Sequence, residues 1–266
     1  MNALKFLKFK ISVIFRYIIE NRNTRLLKKN KGLWIELNNY LEKSKSTGCN
    51  ISDYWEMYSY VRKHKPAEIL ECGTGVSTVV MAFALIENEK EGYKGRITSM
   101  ESIDKYLVMA KNLLPKHMNK YVDFVLSPVI EDSYALYRGM RYEKIPMDRN
   151  YDFVYVDGPS YYCPKDGSVT FDYDLLHIIK NSSTNVSAMI DKRVSSCYVF
   201  QKVLGKSIVK YNAIIHLGFV KPCNKYDLLN FNKNEPSSVF VESFSNFFNT
   251  NLSFNLTEKY YKKRLK

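Results

Sequence analysis

Residues 68–85, Glu-Ile-Leu-Glu-Cys-Gly-Thr-Gly-Val-Ser-Thr-Val-Val-Met-Ala-Phe-Ala-Leu, decide how the rest of the chain is read. Ile69 and Leu70 close a short apolar run of the kind that fills a buried strand. Gly73 and Gly75 permit a tight turn without a Cβ, and Ser77 or Thr78 is placed to cap the helix predicted to follow. A strand, a glycine turn and a helix start bring backbone N–H groups and the positive end of the helix dipole to one spot, which makes a nucleotide cradle. The spacing then narrows the ligand. A dinucleotide fingerprint needs glycine where Thr78 stands, and a phosphate-gripping loop needs a Gly-Lys-Ser/Thr ending that this stretch lacks.

Outward from this turn, strand-like and helix-like segments alternate. The pattern predicts helix from Ser77 to Glu89, strand from Arg96 to Met100 closing on Glu101, helix from Asp104 to Leu114, and strand from Val122 to Leu126. A short helix over Glu131 to Tyr137 follows, then a strand from Tyr151 to Val156 that ends on Asp157-Gly158-Pro159. Helix over Asp172 to Ile179, strand over Val186 to Ile190 ending at Asp191, and helix over Ser195 to Leu204 complete the alternation. Later β-type runs lie at Ile208 to Val220 and Ser238 to Phe244. Such alternation predicts an α/β fold, a mostly parallel sheet with helices on both faces, and ligands bind beyond the carboxyl ends of such strands. Glu71, Glu101, Ser127, Asp157 and Asp191 sit at those ends.

The 266 residues suffice for one large domain with decorations. The net charge of +13 is concentrated in the tails: residues 1–34 hold nine Lys or Arg against the single acid Glu20, and residues 255–266 hold five against Glu258. The region between is nearly neutral, which argues against a nucleic-acid-binding face on the domain itself. Five cysteines (Cys49, Cys72, Cys163, Cys197, Cys223) form no C-x-x-C pair and no Cys/His metal spacing, which points to a reducing cytosol. Apolar runs near the start are cut by Lys8, Lys10 and Arg16, so a bilayer span is not expected, and the apolar stretch Ile11 to Phe15 is too short for a signal peptide.

Residues 3–20 place Leu4, Leu7, Ile11, Ile14, Phe15 and Ile18 on one stripe of a basic amphipathic helix. Two readings stand: the stripe packs on the main domain or a partner subunit, or it lies on an anionic membrane surface, peripheral to its inner face. The next predicted helices run from Gly32 to a break at Ser46–Asn50, and from a cap at Ser52 or Asp53 through Tyr54 to Val61. The expected organisation is a basic helical extension over 1–50, the α/β domain over 51–245 and a basic tail over 246–266.

At this point the sequence resembles the class I S-adenosylmethionine-dependent methyltransferases. E-C-G-T-G-V-S-T looks like their first motif, Glu101 stands where their second strand ends in an acid, and Y-D-F-V-Y-V-D-G-P-S-Y-Y looks like the fourth-strand motif. A-M-I-D-K-R is similar to the fifth strand of the small-molecule and sugar O-methyltransferase branch. The resemblance spans roughly residues 52–245 and implies a Rossmann-like doubly wound sheet of about seven strands with an N-terminal helical extension. It implies S-adenosyl-L-methionine as cofactor, held by Glu71, Gly73, Thr74, Gly75, Ser77, Thr78, Glu101, Ser102 and Ser127, with Glu101 on the ribose hydroxyls and Ser127 near adenine. Asp157, then Asp191, is implied as the base for a small-molecule or glycan hydroxyl, or as a metal ligand. Metal-dependent relatives follow the second acid with Asn, whereas Lys192 follows it here. Competing readings are an RNA or DNA methyltransferase using the basic tails, and a cofactor-binding module without turnover. His177, on the helix after the fourth strand, is a further candidate base against a structural role.

Overall fold

The structure is a computed structural model and describes residues 3–44, 50–135, 137–228, 240–241 and 252–253. Three helices come first: α1 (Ala3–Lys29), α2 (Lys31–Ser44) and α3 (Ile51–His64). Asn50 caps α3 by accepting from the Ser52 amide at 3.0 Å, and Lys65, at φ 51°, closes its last turn just before Pro66. Then follow β1 (Glu68–Cys72), α4 (Val76–Lys90), β2 (Arg96–Glu101), α5 (Asp104–Leu113), β3 (Val122–Leu126), β4 (Val129–Tyr134), β5 (Tyr137–Tyr142), β6 (Phe153–Val156), β7 (Phe171–Asp172), α6 (Asp174–Asn181), β8 (Val186–Asp191), α7 (Val194–Leu204), β9 (Val209–Asn212) and β10 (Leu217–Cys223). The Asn/Lys-rich loop and most of the predicted tail over 246–266 lie outside the described residues; Phe240–Val241 and Leu252–Ser253 pair antiparallel.

Seven strands form the main sheet in the order β3-β2-β1-β6-β8-β10-β9. Only β10 runs against its neighbours. The order reverses between β1 and β6, so the connections leaving those strands go to opposite faces of the sheet and open a crevice beyond their carboxyl ends. Strand residues alternate between two apolar layers, as the period of two requires. Ile69, Ile97, Phe153, Tyr155 and Met189 pack with residues of α2, α3 and α4 on one face. Leu70, Met100, Val154, Val156, Ala188 and Ile190 pack with residues of α6 and α7 on the other.

Two expectations are corrected. Residues 131–137 do not form a helix; they belong to a β4–β5 hairpin that turns at Ala135 (φ 51°) and is extended by β7 in a separate three-stranded sheet. Tyr137 and Tyr142 are buried in one cluster with Phe171 and Tyr173, and a Cβ on Gly139 would come within 2.8 Å of the Tyr173 Cβ, so close strand packing overrides the local helical reading. The helix expected from Asp172 begins at Asp174 instead, because Asp172 is used in β7.

The N-terminal helices divide in the middle of α1. Leu27, Leu33 and Leu37 are fully buried in the same layer as α4, so this part of the extension is core. From its midpoint onward α1 is held through its polar side: the Asn23 amide donates to Ser52 Oγ (3.1 Å) and Glu56 (2.7 Å), Asn50 donates to Glu20 (3.0 Å), and Arg16 donates to His216 (3.1 Å). Of its apolar stripe, Leu7, Ile14, Phe15 and Ile18 are 47% to 59% exposed and Ile11 is partly buried, while the Leu4 side chain lies outside the described residues. The expectation that this stripe packs on the main domain is therefore corrected; polar side chains do that work.

Candidate active site

The glycine turn is built around Glu71. This carboxylate is fully buried and accepts from Ser77 Oγ at 2.5 Å, Thr78 Oγ1 at 2.6 Å and Ser99 Oγ at 2.6 Å. Thr78 Oγ1 in turn accepts from the Gly75 amide at 3.1 Å, so the acid and the turn's backbone form one network. Desolvation pushes Glu71 up to about 7, against the three hydroxyl donors, which favour its charged form. Gly75 is the N-cap residue of α4, and Ser77 and Thr78 fall within its first turn: Thr78 closes the cap by accepting from the Gly75 amide, and both hydroxyls donate to Glu71. Gly73, at φ 100°, lies against the Asp157-Gly158 loop, where a Cβ would meet Gly158 N at 3.1 Å; one on Gly158 would meet the Gly73 Cα at 2.8 Å. These two glycines let the ends of β1 and β6 touch. Gly75, by contrast, has nothing within 4 Å of where its Cβ would be, which leaves open space at the turn.

That space belongs to a cleft of two chambers. The smaller, about 270 Å³, is lined by Gly73, Thr74, Glu101, Ser102, Ile103, Tyr106, Tyr142 and the 157–160 loop. Glu101 ends β2 there and is held by the Ser102 amide (2.7 Å) and the Ile103 amide (2.9 Å), both on its Oε1. The larger chamber, about 340 Å³, runs from Thr74–Ser77 to Asn50, Asp53 and Tyr54 of α3, to Tyr155 and Tyr161, and to Asp191–Arg193. Thr74, Asp157 and Arg193 line both chambers and mark their junction.

Asp157 follows the last residue of β6. Its side chain keeps 45% of its surface open, while burial of the surrounding loop first, and the charge of Asp191 second, push its carboxyl above the usual range; Arg193 opposes. Solvent in the cleft tempers the push. Arg193 fixes this loop: it donates to the Asp157 carbonyl, to the Pro159 carbonyl at 2.7 Å and to the buried Asp172 at 2.5 Å. Asp172 also accepts from Ser196 Oγ at 2.5 Å. Across the larger chamber, burial raises Asp191, with Lys192 and Arg193 opposing. Asp53 faces it from the first turn of α3 and is pushed up to about 7, by desolvation and then by the charge of Asp191. Lys192 Nζ stands 3.6 Å from Asp53 Oδ2.

The structure thus brings Gly73, Thr74, Gly75, Ser77, Glu101, Ser102, Asp157 and Asp191 to one cleft. Glu71 and Thr78 lie beneath its floor, and neither lines a chamber. Ser127 lines neither chamber: its amide donates to the Glu101 carbonyl at 2.9 Å, but its side chain is fully buried, donating to the Pro128 carbonyl (3.1 Å) and accepting from the Lys144 amide (2.9 Å). His177 sits on α6 beside Tyr173, with burial and Arg141 lowering its pKa, and lines neither chamber. Sequence reasoning missed Asp53, Arg193 and Tyr142. The A-M-I-D-K-R stretch already contained Arg193, but its partner Asp172 was read as a helix start. Asp53 was read only as a cap, and its position three residues after Asn50 gives no sequence sign that it turns to the cleft.

The site's residues suit an S-adenosylmethionine-like ligand: open space above Gly75, and a positioned carboxylate in Glu101 on the adjoining wall. A divalent metal would need a third donor beside Asp157 and Asp191; Lys192 follows instead, and among the described residues no group of three His, Cys, Asp or Glu is placed to hold a metal ion. A protein from Staphylococcus aureus, provisionally described as a caffeoyl-CoA O-methyltransferase, superposes with a TM-score of 0.51 at 15% identity, over 76% of this chain and 98% of that one. The chain shares that protein's Rossmann-like fold. A Bacillus cereus O-methyltransferase in complex with SAH matches at 16% identity and TM-score 0.40, over 65% of this chain and 69% of that one. The apo TDP-rhamnose 3′-O-methyltransferase of calicheamicin biosynthesis matches at 16% identity and TM-score 0.43, over 77% and 93%. No protein-family model and no curated protein matches the sequence. Within the methyltransferase fold, the Rossmann-like sheet expected from the sequence is present with its seven strands.

Proposed function

We propose that this chain is an S-adenosylmethionine-dependent O-methyltransferase acting on a hydroxyl of a small molecule or carbohydrate. The observation that carries the reading is the junction at Thr74 and Asp157, where a chamber walled by Glu101 meets a chamber walled by carboxylates. When bound, the cofactor supplies an electrophilic methyl group on a sulfonium. Glu101 accepts the ribose hydroxyls, the Gly73–Gly75 backbone supports the amino-acid end, and Asp157 takes the proton of the acceptor hydroxyl. A base whose pKa is raised toward neutrality suits that task. Asp191 faces the acceptor side and is the second candidate. Carboxylates accept hydrogen bonds from hydroxyls, which favours a polyhydroxylated acceptor. The same acids repel a polyanion, which counts against RNA or DNA. Calorimetry with S-adenosylhomocysteine and transfer of labelled methyl to a sugar panel test the reading. It predicts micromolar binding that Glu101→Ala destroys; wild-type protein that fails to bind would overturn it, and binding without turnover on any acceptor would favour the non-catalytic module.

An anionic membrane surface is the second part of the reading, on a separate observation. On α1 the exposed Ile14, Phe15 and Ile18 continue at helical spacing into the exposed Arg22, Arg25 and Lys29. Apolar side chains enter the interface while each basic residue adds about 1 kcal/mol of attraction to anionic lipid. No helix among the described residues is long and apolar enough to cross a membrane. Sedimentation with vesicles tests the surface contact. Phosphatidylserine-containing vesicles should retain the full chain, phosphatidylcholine vesicles should retain little, and Ile14→Glu with Ile18→Glu should release it; equal behaviour of all three would end the idea.

A further inference from the structure

Asp53 occupies the third position of α3, where an acid ordinarily turns back to the helix's free amides. Here it does not. The residue is 5% exposed, both carboxylate oxygens lack a hydrogen-bond donor, and the side chain lines the larger chamber. Opposite it, Asp191 Oδ1 is buried and likewise has no donor. The neighbouring cations do not fill this need. Arg193 is committed to Asp172 and to two backbone carbonyls, and Lys192 Nζ stays at 3.6 Å from Asp53, a charge contact beyond hydrogen-bond length. Two desolvated carboxylates with three vacant acceptor atoms are costly to keep charged unless donors with positive charge reach them.

We infer that Asp53 and Asp191 form a subsite for a protonated amine, with Lys192 lending partial counter-charge while the amine is absent. An ammonium brings three N–H donors and one positive charge, matching the three vacant oxygens. The amine has two sources with the same chemistry: the amino-acid end of the methyl donor, extending past Gly75, or an amino group on the acceptor. The inference rests on the methyltransferase reading of the cleft and assigns Asp53 a specificity-determining role that no sequence motif marks.

The experiment compares wild type with Asp53→Asn, which keeps the shape and removes the charge. Titrations use S-adenosylhomocysteine and 5′-methylthioadenosine, which lacks the amino-acid end. A drop of at least tenfold for S-adenosylhomocysteine with 5′-methylthioadenosine unchanged assigns the amine to the donor. If both stay unchanged, protein loaded with S-adenosylhomocysteine is titrated with glucosamine and glucose; a wild-type preference for glucosamine that the variant loses assigns the amine to the acceptor. Equal binding of all four probes to both proteins overturns the subsite. Retained 5′-methylthioadenosine binding confirms that the variant is folded, and wild type that binds neither nucleoside overturns the methyltransferase reading instead.

Discussion

Glu71 and Asp53 are both acids buried near the carboxyl end of the sheet, and burial pushes both up to about 7. Their surroundings differ. Glu71 is ringed by three hydroxyl donors that tie together β1, β2 and the start of α4, whereas neither oxygen of Asp53 has a hydrogen-bond donor. A perturbed pKa therefore does not by itself separate scaffold from site; the hydrogen-bond count does. Glu71, whose acceptors the protein fills, holds the fold; Asp53 has both acceptors vacant and also lines the larger chamber.

The comparison can be broken in several ways. The largest effect is expected at the junction: Asp157→Asn should lower turnover by about 10²- to 10⁴-fold while leaving cofactor affinity nearly intact, because only proton removal is lost. A parallel loss of affinity would move Asp157 from base to cofactor contact. Next, Glu101→Ala should weaken S-adenosylhomocysteine by about 100-fold, the loss of two hydrogen bonds to a charged acceptor, as read by calorimetry. Stability tests the contrast itself. Glu71→Ala strands three hydroxyl donors and should cost about 2–5 kcal/mol by denaturant unfolding, whereas Asp53→Asn should stay within about 1 kcal/mol or stabilise the protein. Similar losses in both would erase the distinction.

The smallest effect is the pH slope. Glu71 and Asp53 have folded pKa values near 7, above their ordinary values of 4.5 and 3.8. The folded state therefore holds their protons more tightly than the unfolded state. Their contribution to stability is fully present below those ordinary values and is lost as pH rises through about 7. Each group adds at most about 1.4 kcal/mol per pH unit to that decline, and Glu71→Gln should remove its share from chemical-denaturation curves collected between pH 4.5 and 7.

The alternation around residues 68–85 made the sheet legible, because buried parallel strands are short apolar runs and their ends are marked by glycines and acids. The hairpin of β4 and β5 was not legible, since Glu131 and Ala135 favour a helix locally and only Phe171 and Tyr173, distant in sequence, select the strands. Glu101, Asp157 and Asp191 were readable as strand-end acids. Glu71 looked the same in the sequence, and its three hydroxyl partners are what set it apart. Asp53 could be reached only through the fold, because the helix that carries it precedes the motif and meets the cleft by packing alone.

The polar attachment of α1 up to Asn23 has a calorimetric consequence. Arg16, Glu20 and Asn23 hold it through hydrogen bonds, while its large apolar side chains are already in water. Releasing this half-turned helix would expose little new hydrocarbon and so would carry almost no heat-capacity increment. Thermal melts would then pass over it in silence, and amide hydrogen exchange would show it opening well below the global transition.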